Sequence, residues 1–273
     1  MRRRGIFFCG FLLVSVLIGP CIAQTLPNHL DPSARDDLPE LSSVPALRFL
    51  TTPDFPPFNY RGPGGKLIGF HIDLARAICD DLKAVCTIQS WPWDQVADAL
   101  ADNQGDALIG GLALNEINGN RFDFSSIYLV FPARFVMRTD TGIQNVPAGL
   151  TAKTVAVRRG SRHEDFLRRY LSGVEIRPFD SELAALNAVK DGKVDAFFGD
   201  ALRASFWLNV EAGCCSFVGD AYIRSDFFGD GLAIAVPAGQ DNVRVAINRA
   251  LARLKRNGQL DELYLRWFPV SFY

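Results

Sequence analysis

From residue 46 onward, short apolar runs alternate with stretches in which apolar residues recur every three or four positions. Residues 46–50 read as a strand. Residues 69–82 carry Leu74, Ala77, Ile78 and Leu82 at helical spacing. Residues 86–89 read as a strand, 94–100 as a helix and 107–110 as a short strand. A second run repeats the plan: strand at 154–157, helix at 164–171, strand at 174–176, helix at 182–190 and strand at 195–199. A last strand at 231–236 precedes helix over 242–267, interrupted near Gly258. Strands that alternate with helices predict βαβ units and a parallel sheet.

One internal echo runs through this pattern. Residues 99–110 end a helix, turn through Gly105-Asp106 and enter Ala107-Leu108-Ile109-Gly110. Residues 188–199 do the same through Val194-Asp195 into Ala196-Phe197-Phe198-Gly199. The echo predicts two lobes of one βαβ design. Ligands of such sheets sit beyond the carboxyl ends of the strands. That places Gly110-Gly111 in one lobe and Gly199-Asp200 in the other at the walls of a cleft.

The N-terminus reads differently. Arg2, Arg3 and Arg4 precede an apolar run at 6–18, too short to span a bilayer, and small residues allow a cut after Ala23. This is the pattern of a secretory signal peptide over 1–23, followed by a polar leader over 24–45. Removal of three arginines takes the formal charge from −1 to −4. The mature chain is expected to be exported and periplasmic. Export makes the four remaining cysteines a disulfide question. A tight helix–turn–strand can bring Cys79 to Cys86. Cys214 and Cys215 then remain, as a vicinal disulfide or as two thiols.

Composition narrows the function. The chain is 48% hydrophobic, with 29 Lys+Arg against 30 Asp+Glu and no basic run, which excludes a phosphate-tracking nucleic-acid binder. Three histidines and no Cys/His cluster argue against a metal site, and no cofactor is expected.

Asp54-Phe55-Pro56-Pro57-Phe58-Asn59-Tyr60, followed by Gly69-Phe70-His71-Ile72-Asp73-Leu74, resembles the start of extracellular solute-binding proteins of family 3, the periplasmic receptors of polar amino-acid ABC importers. Trp93-Asp94, Gly105-Asp106-Ala107, Phe122-Asp123-Phe124-Ser125, Gly160-Ser161 and the run 194–200 resemble its later markers, in order over about 46–268. The resemblance implies an α/β, type II periplasmic-binding-protein fold. Each lobe is then a mainly parallel sheet flanked by helices. Two hinge crossings would fall near 137–139 and 227–231. Lobe 1 is then 46–137 plus 230–273 and lobe 2 is 138–229. It further implies a small-molecule ligand, a membrane permease as partner, no catalysis, and a chain that works as a monomer.

Phe58 and Trp93 are the wall-forming aromatics that the resemblance implies, with Phe55 and Trp91 left to the core. Gly110 and Gly111 let backbone N–H groups approach a ligand. Ser161, with Arg162 beside it, opens a helix whose N-terminus favours anions, and is equally an N-cap. Asp200 matches the family residue that receives the ligand's α-ammonium; a desolvated carboxylate at a strand end wants a cation. One slot departs. Where the family usually carries a carboxylate-gripping Arg, this chain has Asn118, which lacks the guanidinium's charge and fork of donors. Arg121 and Arg162 are the substitutes at hand; otherwise the ligand is an amine or a neutral polar molecule. Two rival readings share the fold: an accessory or sensory binder associated with a quinoprotein dehydrogenase, and an exported dehydratase using His163, Asp200 or Glu116 as acid or base.

Overall fold

The computed structural model describes residues 46–143, 145–268 and 270–273; the expected signal peptide and leader lie outside them. The first lobe begins with β1 (Ala46–Thr51), a three-stranded hairpin sheet of β2 (Asp54–Phe55), β3 (Asn59–Arg61) and β4 (Leu67–Ile68), then α1 (Phe70–Leu82) and β5 (Val85–Ser90). It continues with α2 (Trp93–Ala101), β6 (Ala107–Leu108), α3 (Glu116–Gly119) and β7 (Phe122–Phe124). The second lobe holds β8 (Ala133–Arg138), β9 (Thr154–Arg158), α4 (Arg162–Tyr170), β10 (Glu175–Phe179), α5 (Glu182–Lys190), β11 (Ala196–Asp200), α6 (Ala201–Val210), β12 (Cys215–Tyr222) and α7 (Ser225–Phe228). The chain then returns through β13 (Ala235–Pro237), α8 (Asp241–Arg256) and α9 (Gln259–Trp267) to the first lobe.

The two sheets have the same plan. Their orders are β5-β1-β6-β13-β7 and β10-β9-β11-β8-β12. In each, the first three strands run parallel and the fourth is reversed. That reversed strand is the one that has just arrived from the other lobe. The echo in the sequence has a physical cause here. The Asp106 carboxylate accepts the Arg48 backbone N–H of β1 at 2.8 Å, while Asp106 N donates back to the Arg48 carbonyl. Asp195 does the same for Thr154 of β9, also at 2.8 Å. One aspartate per lobe therefore sets the register between the second and third strands of the sheet, β1 with β6 and β9 with β11.

The first crossing falls earlier than expected. β8 pairs with β11 from Ala133 to Met137, so residues 133–137, expected in lobe 1, lie in the sheet of lobe 2. The crossing segments meet where Leu129 bridges Leu232, with Leu232 N donating to the Leu129 carbonyl at 2.7 Å and Tyr128 N to the Leu232 carbonyl at 2.9 Å. Gly231 makes this approach possible. Its φ is +108°, and a Cβ there would stand 2.4 Å from the Leu129 carbonyl oxygen. The last residues brace the same point. The Tyr273 hydroxyl donates to the Val130 carbonyl at 2.7 Å and accepts from Val130 N, and Phe272 is fully buried.

Both cysteine pairs are bridged. Cys79–Cys86 ties the end of α1 to β5 across a Cα separation of 6.1 Å, and Cys214–Cys215 are joined as neighbours. Among the described residues no helix is long and apolar enough to cross a membrane, and no His/Cys/Asp/Glu group has metal-holding geometry.

Candidate functional site

The first wall is built on the β2–β3 hairpin. Its two phenylalanines exchange the positions expected of them. Phe58 is 1% exposed and packs among Phe70, His71, Phe131 and Phe268. Phe55 is 37% exposed and lies on Phe58, ring centroids 4.8 Å apart. The reason is tertiary: Phe70 N and His71 N at the start of α1 donate to the Pro57 and Phe58 carbonyls. This seats Phe58 inward and leaves Phe55 facing out. Gly111, with φ +83°, lies under the Phe55 ring; a Cβ there would come within 3.1 Å of it. Gly110 is buried at the carboxyl end of β6, with only ordinary contacts around a notional Cβ. Trp93 opens α2 and is 53% exposed. Phe55 and Gly111 are therefore brought together, with Phe58 as the buried backing of the ring, while Trp93 stands exposed at the start of α2.

A neutral polar relay braces this hairpin from behind. The Asn59 side-chain NH2 donates to the Thr52 carbonyl at 2.8 Å, so its oxygen faces His71 Nδ1 at 2.6 Å. His71 therefore donates from Nδ1, and its Nε2, 2.8 Å from the Tyr128 hydroxyl, accepts. All these groups are buried. Burial pushes the His71 pKa down to about 3, keeping the ring neutral. The relay was not anticipated; an Asn and a His twelve residues apart carry no local signal.

The carboxylate slot is not filled by its expected substitutes. Asn118 donates its side-chain amide to the Ala113 carbonyl at 2.8 Å and closes its own loop. Arg121 precedes β7 at the end of the sheet remote from Gly110, because Phe122 pairs with Pro237 and Phe124 with the Ala235 that faces Leu108. Its guanidinium is tied to Asp98 at 2.6 Å. Arg121 therefore stands apart from the wall.

In lobe 2, Ser161 caps α4, accepting from Glu164 N at 3.2 Å and donating to the Arg158 carbonyl at 2.7 Å. Glu164 folds back onto Gly160 N at 2.8 Å and is paired with Arg168. The helix end expected to hold an anion already has one of its own. Arg162 is exposed on the first turn of α4. Beside it, His163 stacks on Phe228, centroids 4.8 Å apart, and its pKa falls to about 4 through burial and then the Arg203 charge. Glu116 is exposed on α3.

Asp200 ends β11 and caps α6, accepting the Arg203 N–H at 2.9 Å. Desolvation raises its pKa above the usual carboxylate range. It lies at the inner side of the hinge. Asp200 pairs with Ala133, and Ala201 N donates to the Pro132 carbonyl. Ala201 itself packs in the same cluster as Phe58 and Leu232. Contacts therefore run from Phe55 through Phe58 and Phe131 to the crossing strand beside Asp200. Sequence reasoning missed two neighbours: Arg203, whose charge acts on both Asp200 and Glu182, and Glu182, whose pKa burial raises first and the Asp200 charge adds to.

Two like-built lobes, a double crossing and two chemically distinct walls beside it define a two-lobed binding protein. Residues 47–270 match the sequence model of the bacterial extracellular solute-binding proteins, family 3, and the chain belongs to that family. It is 31% identical over 215 residues to the arginine-binding periplasmic protein of Mannheimia haemolytica, covering 79% of this chain and 88% of that one. Its fold is similar to the unliganded, open L-cystine solute receptor of Neisseria gonorrhoeae: TM-score 0.73, 20% identity, 85% of this chain and 96% of that chain. It is also similar in fold to an ancestral cyclohexadienyl dehydratase: TM-score 0.70, 23% identity, 83% and 93% covered.

Proposed function

We propose that this protein is a periplasmic receptor that captures a small polar solute, an amino acid or related amine, between its lobes and presents it to the permease of an ABC importer. It works as a monomer and leaves the solute chemically unchanged. The observation that carries the reading is Asp200, a desolvated carboxylate at a strand end beside the first crossing, linked through Pro132, Phe131 and Phe58 to the exposed ring of Phe55 in the other lobe. A carboxylate so placed is stabilised by a ligand cation, and an aromatic face adds cation–π or apolar contact. A ligand that touches both walls favours the closed arrangement by its extra contacts. The arginine-binding relative supports an amino-acid ligand.

The test is a thermal-shift panel of amino acids, amines, small acids and alcohols, with product analysis. A true ligand at 100 times its Kd stabilises the fold by about 2.7 kcal/mol and is recovered intact. A ligand that is consumed replaces this reading with the dehydratase one. A panel in which no amine or amino acid shifts the melting point overturns it.

A further inference from the structure

We propose that residues 270–273 form a strap across the hinge, latched by the Tyr273 hydroxyl, which limits how freely the two lobes rotate against each other. The inference goes beyond the receptor reading and does not depend on what the cleft binds. The family match ends at residue 270, so the latch lies outside it.

The strap touches both lobes within a short stretch of chain. Val270 packs against the lobe 2 cluster that holds Val136, Phe197, Trp207 and Cys215. Phe272 is fully buried in the lobe 1 cluster, its ring centroid 5.1 Å from that of Tyr264 and 5.4 Å from that of Phe268. Phe272 N donates to the Tyr264 hydroxyl at 2.9 Å. Tyr273 lies against Phe272, centroids 4.9 Å apart. Ring packing of this kind, with its polar end paired, anchors the segment firmly in lobe 1.

The latch sits where the chain leaves lobe 1. Val130 is buried and lies in no strand, and buried backbone polar groups need partners. The Tyr273 hydroxyl serves both of them, accepting from Val130 N at 3.1 Å and donating to the Val130 carbonyl at 2.7 Å. β8 then begins at Ala133 in the sheet of lobe 2, and the Pro132 carbonyl accepts Ala201 N of α6 at 3.0 Å. Only Phe131 and Pro132 separate the two fixed points, and the proline ring sets its own φ. Hinge rotation is absorbed by backbone changes at a few residues, so holding Val130 leaves this crossing few dihedrals to turn. A second contact spans the lobes beside it. Phe217 of β12 packs against both clusters, with the Arg134 guanidinium 4.9 Å above its ring. A side-chain hydroxyl can release Val130 without unpairing any strand, which is what a latch requires.

The experiment reads the distance between the lobes with no ligand added. Nitroxide labels are placed on exposed positions of α3 and α5, as Ile117→Cys and Leu183→Cys, under non-reducing conditions that keep both native disulfides. Pulsed electron spin resonance then measures the distance distribution in the labelled parent, Tyr273→Phe and Val270→Ala. Tyr273→Phe removes the hydroxyl and keeps the ring. It is expected to broaden the distribution or add a second peak, and to speed hydrogen exchange at Val130 N–H by roughly three- to tenfold, the worth of one hydrogen bond. Val270→Ala loosens the other end of the strap and should broaden the distribution as well. Tyr170→Phe is the control: that hydroxyl accepts from Arg224 inside lobe 2 at 3.1 Å, and the distribution should match the parent's. A Tyr273→Phe distribution as narrow as the parent's overturns the strap even where Val130 exchange rises, because the hydroxyl is then a local brace alone. Equal broadening in Tyr170→Phe overturns it too, since any lost hydroxyl then softens the molecule. Should Tyr273→Phe fail to fold, Val270→Ala decides by the same criterion. Each of these outcomes leaves the receptor reading standing.

Discussion

The two lobes share a strand order but, in the function proposed here, meet the ligand with different materials. Lobe 1 offers rings and backbone: Phe55, Trp93 and Gly110-Gly111, held by a buried relay whose histidine stays neutral. Lobe 2 offers charge: Asp200, Glu182 and Arg203 around the first turn of α6, with burial holding both carboxyls above their usual range. The difference teaches a division of labour. A neutral wall keeps its shape whatever enters, because no group on it needs a counter-ion. A charged wall distinguishes among ligands, because a desolvated charge left unpaired is costly.

The largest expected effect breaks or upholds that division directly. Asp200→Asn keeps the shape of the α6 cap and removes the charge. Affinity for a cationic amino acid such as L-arginine should fall about 10- to 100-fold, the worth of a charge-assisted hydrogen bond. Calorimetry that finds the Kd unchanged would assign recognition to lobe 1 instead.

Second comes pH. The folded His71 pKa of about 3 lies below the ordinary 6.5. The unfolded chain therefore takes up a proton on acidification that the folded chain refuses. Stability is full above pH 6.5 and falls as pH drops from there toward 3, by about 1.4 kcal/mol per unit at most from this group. His163, down to about 4, adds in the same direction over a narrower window. Denaturant melts at pH 7 and pH 5 should show the loss, and His71→Gln should flatten it. A parent as stable at pH 5 as at pH 7 would mean that the relay accepts a charge.

Third, the twin clamps compare the lobes on equal terms. Asp106→Ala and Asp195→Ala each orphan a strand N–H, at a cost of about 1–3 kcal/mol. Each carboxylate has a second partner: Asp106 holds the Arg48 guanidinium at 2.7 Å, and Asp195 accepts from the Thr154 hydroxyl at 3.0 Å; Asp106→Ala should cost more if the charged contact outweighs the neutral one. Equal losses in urea melts would show that the Arg48 ion pair adds no more than the Thr154 hydroxyl bond does.

The turns that carry these clamps were legible in the sequence because each is local, a turn aspartate followed by an apolar strand, written twice; the bonds they make to strands 58 and 41 residues away were not. Fold class was legible for the same reason, in the alternation of strands and helices. What escaped depends on packing across elements. β8 is buried on both faces, so its Ala-Arg-Phe-Val-Met-Arg run, residues 133–138, shows no alternation and reads as a connection. In 54–60 two phenylalanines flank two prolines without a period, and only α1 decides which turns inward. Glu182 and Arg203 read as ordinary first-turn residues of two separate helices. Their meeting needs the ends of β10 and β11 to lie in one sheet. The three-residue spacing of Asp200 and Arg203 was the one hint available.

The smallest effect sharpens the contrast most cleanly. Trp93 is more than half exposed at the start of α2, so truncation removes a face of the wall and little packing. Trp93→Ala should leave the unliganded melting point in place and weaken a cationic ligand by roughly 0.5–1 kcal/mol, the value of an exposed cation–π contact. Phe55→Ala, by contrast, also uncovers Phe58 and should lower the melting point.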